Sequence, residues 1–178
     1  MLKKILIGLV LILGLIAVVA ALQPSDFKVT RSITVSASPA TVFGQVNDLH
    51  QWQAWSPWAK LDPNAKMDYQ GPQAGVGSSF HWAGNKEVGE GTMTISESHP
   101  NDLVRFNLDF VKPFEGHNTA EFHFKPEGDR TVVDWSMEGK KNFIFKVVGL
   151  FVNCDKMVGG QFEKGLAELK TVSEAAPK

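Results

Sequence analysis

Cysteine is almost absent from this chain of 178 residues: Cys154 stands alone, which rules out an intrachain disulfide framework and any metal site built from clustered thiolates. An excess of charge of one sign is also missing. The 18 Lys and Arg nearly balance the 19 Asp and Glu, leaving a formal net charge of −1. The basic residues are scattered, so the chain offers no basic patch for phosphate backbones and no acidic tail, and no nucleic-acid partner is expected. Repeats and low-complexity segments are lacking too. With 43% hydrophobic residues, the length suits one domain with a substantial core.

The usual catalytic signatures are missing as well. There is no Gly-x-Ser-x-Gly elbow, and Cys154 falls on an apolar helical stripe, where a buried structural thiol is expected rather than a reactive thiolate. The five histidines, His50, His81, His99, His117 and His123, have no metal-ligand spacing, so neither a metal nor another cofactor is expected. His81 points opposite to Phe80 and Trp82 on its strand, His117 precedes a strand, and His123 shares parity with Glu121, which places all three at the surface. Gly75-Val76-Gly77 and Gly89-Glu90-Gly91 lie among strands and lack the following helix that a phosphate-binding loop requires. Glu90 and Asp109 could act as general acid or base if buried, although strand carboxylates are ordinarily solvated.

What is present begins with a long apolar run. Lys3-Lys4 precede Ile5 to Leu22, about 18 residues that as a helix measure about 27 Å against a hydrocarbon core of about 30 Å. Residues 1–22 therefore read as a membrane anchor, with a signal peptide cleaved near Val18-Val19-Ala20-Ala21 as the alternative. The two lysines keep the short end in the cytoplasm and send the remainder across the membrane, into the periplasm if the source is bacterial. After cleavage the domain would instead be secreted. Residues 23–26 form a short linker, 27–172 the folded domain and 173–178 a tail.

Within the domain, Phe27 to Ala37 alternates as a strand, with Arg31 sharing the parity of the apolar residues and placed near the strand's end. Ser38 caps a short helix whose first position is Pro39 and whose stripe is Val42, Phe43 and Val46. A second helical turn carries Trp52, Trp55 and Trp58 and is broken by Ser56-Pro57. These three rings read as core or as the rim of a pocket. Further strands are predicted at Lys66–Gln70, Val76–Ala83, Glu87–Glu97, the alternating run Val104, Phe106, Leu108 and Phe110, the run containing Phe122 and Phe124, and Thr131–Glu138 with Val133, Trp135 and Met137 inward. The period then changes. Phe151, Cys154, Val158, Phe162, Leu166 and Leu169 recur every three or four residues as one face of an amphipathic helix, inside which Gly159-Gly160 suggests close packing or a bend.

A strand, an Ala37-Ser38-Pro39 helix start, the run Trp52-x-x-Trp55-Ser56-Pro57-Trp58, a long meander and a C-terminal helix together resemble the polyketide cyclase/dehydrase-like branch of the SRPBCC (START-like, helix-grip) superfamily. Glu87 to Ile95 and Asn118 to Phe122 fit the same pattern, and the likeness covers about Phe27 to Lys170. It implies an α+β helix-grip fold: a curved antiparallel sheet wrapped around a long C-terminal helix, with two short helices after the first strand and, here, an N-terminal transmembrane helix. It also implies a hydrophobic space between sheet and helix, and a superfamily whose members include cyclases, dehydratases, lipid carriers, hormone receptors and chaperone activators. No catalytic residue carries over, because the matching positions Trp52, Trp55, Ser56, Pro57 and Trp58 are structural or pocket-forming in character. The leading expectation is a membrane-tethered, noncatalytic domain that binds a hydrophobic small molecule or lipid among Trp55, Trp58, Trp82, Phe106, Phe122 and Trp135. The alternatives are a cyclase or dehydratase using Glu90, Asp109 or His81 on an apolar carbonyl compound, and a stress-linked protein-interaction module.

Overall fold

The computed structural model describes residues 2–176; the side chain of Cys154, and with it the expected burial of that thiol, lies outside the described residues. The apolar run forms α1 (Leu2–Leu22). A three-residue connection, Gln23-Pro24-Ser25, leads into β1 (Asp26–Val35). Ser38 caps α2 (Pro39–Asn47) as its residue type requires, its side chain accepting from the Thr41 amide at 3.2 Å. A 3-10 turn at Leu49–Gln51 is followed by α3 (Trp52–Trp55) and α4 (Pro57–Leu61). Ser56 separates these two helices in an extended conformation, the geometry favoured before proline.

The meander comprises β2 (Lys66–Gln70), β3 (Ser79–Ala83), β4 (Glu90–His99), β5 (Leu103–Lys112), β6 (Gly116–Glu127) and β7 (Arg130–Lys140). Every neighbouring pair is antiparallel, in the order β1-β7-β6-β5-β4-β3-β2, so α2 to α4 carry the chain from one edge of the sheet to the other. β3 starts later than the pattern predicted because Gly75 and Gly77 both adopt positive φ and turn the backbone immediately before it. The β3–β4 connection is also longer than predicted. The Asn85 side chain accepts from the Glu87 and Val88 amides and holds a loop that closes at Gly89, φ +72°.

After β7 come a short helix, α5 (Phe143–Val148), which periodicity did not reveal, and the long α6 (Cys154–Ala175). Asn153 caps α6, its side chain accepting from the Lys156 amide at 3.0 Å, so Phe151 lies outside the helix and is 73% exposed rather than on the buried stripe. Farther along that stripe Val158 is half-buried, and Phe162, Leu166 and Leu169 are fully buried against β1 and the short helices. The chain is therefore an α+β helix-grip fold, a seven-stranded sheet gripping one long helix.

Arg31 corrects a second expectation. It is the sixth residue of the ten-residue β1, on the face toward α6, rather than near the strand's end. There its Nε donates to Glu163 at 2.7 Å, Nη2 donates to the Asp155 carboxylate at 3.0 Å and to the Asp155 carbonyl at 3.2 Å, and Nη1 donates to the Thr30 carbonyl at 2.8 Å. Such charge-assisted pairs can hold a cation on an otherwise apolar face. Gly159 explains the approach: a Cβ there would collide with the guanidinium, whereas one on Gly160 would meet open space. Of the two adjacent glycines, Gly159 is the one across which the guanidinium lies.

Candidate functional site

The interior between the sheet and α6 is aromatic, and the tryptophan motif is fastened to it through the end of α2. A helix leaves its last carbonyls without internal partners. Two of those at the end of α2 are taken by indoles: Trp52 Nε1 donates to the Val46 carbonyl at 2.9 Å and Trp55 Nε1 donates to the Gln45 carbonyl at 3.1 Å. The three-residue spacing of the motif thus supplies two donors to one helix terminus while the rings enter the core, where Trp55 is fully buried. Trp52 was absent from the predicted set, yet its ring meets Trp55, Phe106, Phe122 and Trp135 at centroid distances of 4.4 to 6.1 Å.

Five of the six predicted side chains join one network of rings. Trp55 contacts Phe122 and Trp135, Phe106 contacts Phe122, and Trp135 stacks between Phe122 at 4.7 Å and Phe162 at 4.0 Å. Trp58 lies half-buried with its ring edge-on to Trp135 at 5.8 Å and to Phe162 at 6.3 Å. Gly165 lets α6 close over this group, since a Cβ there would come within 2.8 Å of the Trp135 ring and 2.9 Å of Pro57. Trp82 belongs to a second group farther along the sheet, against Phe80 at 5.9 Å and Phe110 at 5.7 Å, with its Nε1 donating to the Val88 carbonyl at 3.3 Å.

One donor in this interior has no acceptor among the described residues. Trp135 is 2% exposed and its Nε1–H is unpaired. A buried, unbonded N–H costs about 1–3 kcal/mol. Among the described residues it is the one indole whose polar atom is buried without an acceptor.

The ionisable candidates face the other way. Glu90 alternates with the buried Gly91, Met93 and Ile95 and so lies on the outer face of the sheet, 2.5 Å from Lys112 Nζ and 3.8 Å from His81 Nε2. The hydrogen bond from Lys112 holds its carboxyl below the ordinary value. Asp109 bonds to His117 at 2.6 Å at the surface. The same face carries Arg105 between Glu97 and Glu121, and Asp134 with Lys125. His81, Glu90 and Asp109 are therefore separated from the aromatic interior by the thickness of the sheet, because strand parity alternates.

Two surface depressions are also present. One, of about 340 Å³, lies beside His50, Tyr69 and Ser78; the other, of about 700 Å³, lies on the outer face at Lys28, Thr119 and Glu138. Neither is lined by any of the six aromatic candidates. Among the described residues no cluster of three or more His, Cys, Asp or Glu is arranged to hold a metal ion.

Comparison with known proteins agrees with this architecture. The model of a family described as polyketide cyclase / dehydrase and lipid transport matches residues 26–174. Among solved structures, protein CV1439 from Chromobacterium violaceum is similar with a TM-score of 0.61 at 15% identity, covering 86% of this chain and 100% of that one. The Mll3558 protein from Rhizobium loti gives 0.60 at 17% identity, covering 80% and 96%. The Aha1 dimer from Colwellia psychrerythraea gives 0.60 at 15% identity, covering 85% and 99%. At these identities the likeness is one of fold. No curated protein is similar to the chain in sequence.

Proposed function

The chain belongs to the polyketide cyclase / dehydrase and lipid transport family, and from that premise we propose that it is a membrane-tethered domain that binds a hydrophobic small molecule or lipid, without transforming it, between the sheet and α6. The tether is α1, which is long and apolar enough to cross a bilayer. Lys3 and Lys4 orient it so that linker 23–26 and domain 27–172 are extracytoplasmic. The lining is Trp55, Trp58, Trp82, Phe106, Phe122 and Trp135, and the ligand reaches it past the half-buried Leu108 and Phe110.

The observation that carries this reading is the unpaired Trp135 Nε1–H at the centre of an apolar interior. It calls for an acceptor, so the ligand is apolar with at least one carbonyl, ester or hydroxyl oxygen. A cyclase or dehydratase is less well supported, since Glu90, Asp109 and His81 lie on the outer face and a general acid or base must come within hydrogen-bonding reach of its substrate. The close stacking of Trp135 on Phe162 favours one further reading, an interaction module whose cavity is vestigial.

Native mass spectrometry of residues 23–178, detergent-free and exposed to lipid extracts, separates these readings. A retained apolar species is expected. Trp135→Phe should weaken its retention by the worth of one hydrogen bond, about 0.5–1.5 kcal/mol or roughly 2- to 10-fold. Trp55→Phe, whose N–H is already bonded to backbone, serves as the control for lost ring area. Persistent absence of any bound species would sink the ligand-binding reading and leave the interaction module.

A further inference from the structure

α5 is apolar on the outside. Phe143, Ile144 and Val148 are exposed, as are Phe151 beyond its end and Met157 at the start of α6, and Phe114 continues the patch through an edge-on contact with Phe145 at 5.5 Å. Contiguous exposed apolar surface of this kind marks a place of interaction.

Two observations say what covers it. The first is the position of α1, which packs against α5; over its last two turns the residues that lose exposure are Ile16 and Ala20, spaced i, i+4 on one face, followed by Gln23 just beyond its end. Ile16 lies six residues inside the end of the apolar run, about 9 Å along the helix axis. If α1 spans a bilayer, a helix packed beside its last two turns cannot stand clear of that bilayer. The second is the connection. The Lys141 amide donates to the Ser25 carbonyl at 2.7 Å, tying the start of the α5 segment to the linker that leaves α1. The surrounding charge fits as well: Lys140, Lys141, Lys146 and Lys156 border the patch against the carboxylates Glu115 and Asp155, and Asp155 is already paired with Arg31.

We propose that α5 and the loop to Phe151 form a second membrane contact, sunk to the boundary between headgroups and acyl chains of an anionic bilayer, with the bordering lysines at the phosphates. Interfacial insertion of about 5–10 Å is the depth at which apolar side chains flanked by basic ones are stable. The contact sets the anchor end of the sheet, with Trp82, Leu108 and Phe110, against the lipid. The inference rests on the reading of α1 as a membrane span, and it deepens the proposed function by making the bilayer itself the source of ligand.

The test uses the full chain in nanodiscs of phosphatidylcholine with phosphatidylglycerol. In a Cys154→Ser background, an environment-sensitive fluorophore is placed singly by Phe151→Cys, Ile144→Cys, Val76→Cys or Ile12→Cys, all at exposed positions. Val76 precedes β3 at the opposite end of the sheet. Labels at 151 and 144 are expected to show blue-shifted emission quenched by shallow nitroxide lipids, with 76 remaining aqueous. Lipid quenching at 12 with aqueous 151 and 144 overturns the inference and leaves the tether standing. Quenching at 151 and 144 without 12 upholds the contact and removes the tether, and aqueous signals throughout remove both. A shift at 151 that follows protein concentration and ignores nitroxide lipid assigns the patch to a second copy of the chain and overturns the proposal.

Discussion

At the end of the sheet that carries Val35, Leu103 and Arg130, every element is tied down. α2 lies across it with Val42 and Val46 buried, and the C-terminal half of α6 buries Leu166 and Leu169. Lys170 Nζ donates to the Thr34 carbonyl at 2.9 Å, and the Ser36 amide donates to Glu174 at 2.6 Å. At the opposite end, which carries Asp26, Lys112 and Lys140, the apolar side chains of α5 point outward. There the first turns of α6 are held by the salt bridges of Arg31 and by the half-buried Val158. One end has the construction of a core and the other that of a surface awaiting a partner. The contrast predicts that α6 behaves as a rigid strut at one end and opens first, as a flap, at the other, the arrangement required if an apolar ligand is to pass under it.

The largest expected effect breaks the closed end. Leu169→Ala removes a fully buried leucine and should cost about 2–5 kcal/mol in chemical unfolding followed by tryptophan fluorescence. Phe151→Ala, at the other end of the same helical region, should change stability by no more than about 0.5 kcal/mol. Equal costs at the two positions would erase the distinction between core and open surface.

The closed end was also the part legible in the sequence. Ser38 as a cap, the alternation of β5 and the spacing of Phe162, Leu166 and Leu169 are local signals, and each was met by the structure. The open end was not legible, for physical reasons. α5 is six residues with apolar side chains on more than one side, so it has no period to detect. Arg31 was misplaced because its partners Asp155 and Glu163 lie 124 and 132 residues away, beyond the reach of any periodicity. Phe151 matched the helical spacing, and only the capping residue type of Asn153 signalled that the helix starts after it. In the interior, residue type revealed the aromatic character but not the allocation of indole donors. Two go to the end of α2, one to Val88, and Trp135 has none among the described residues.

Acid should separate the two ends without any mutation. The hydrogen bond with Arg31 holds the Asp155 carboxyl below its ordinary value of 3.8, and Lys170 together with the Ser36 amide holds Glu174 below 4.5. Both carboxyls are depressed in the folded state, so their contributions are complete above those ordinary values and are lost as pH falls through the lower folded values. Both tethers therefore weaken in the same acidic window, yet only the first turns of α6 lack buried leucines to hold them. Amide hydrogen exchange on stepping from neutral pH to below 3.8 should show loss of protection at Lys156–Gly160 while Leu166–Ser173 stays protected. Simultaneous loss at both ends would mean that α6 opens as one unit.

The smallest effect is the sharpest, because it turns on adjacent residues of the same type. Gly160→Ala enters open space on a helix and should stabilise by about 1 kcal/mol, the difference in helix propensity. Gly159→Ala makes the same gain in propensity, but its Cβ collides with the Arg31 guanidinium and must push it from Asp155 and Glu163. The substitution should therefore destabilise the wild-type chain and free the first turns of α6 for exchange. With Arg31→Ala in place the obstacle is gone, and Gly159→Ala should then stabilise by about 1 kcal/mol, as its neighbour does. This reversal of sign depends on Arg31 lying across Gly159 and holding the open end. A Gly159→Ala effect of the same sign and size in both backgrounds would show that the arginine does not hold it, and the contrast between strut and flap would then have to rest on burial alone.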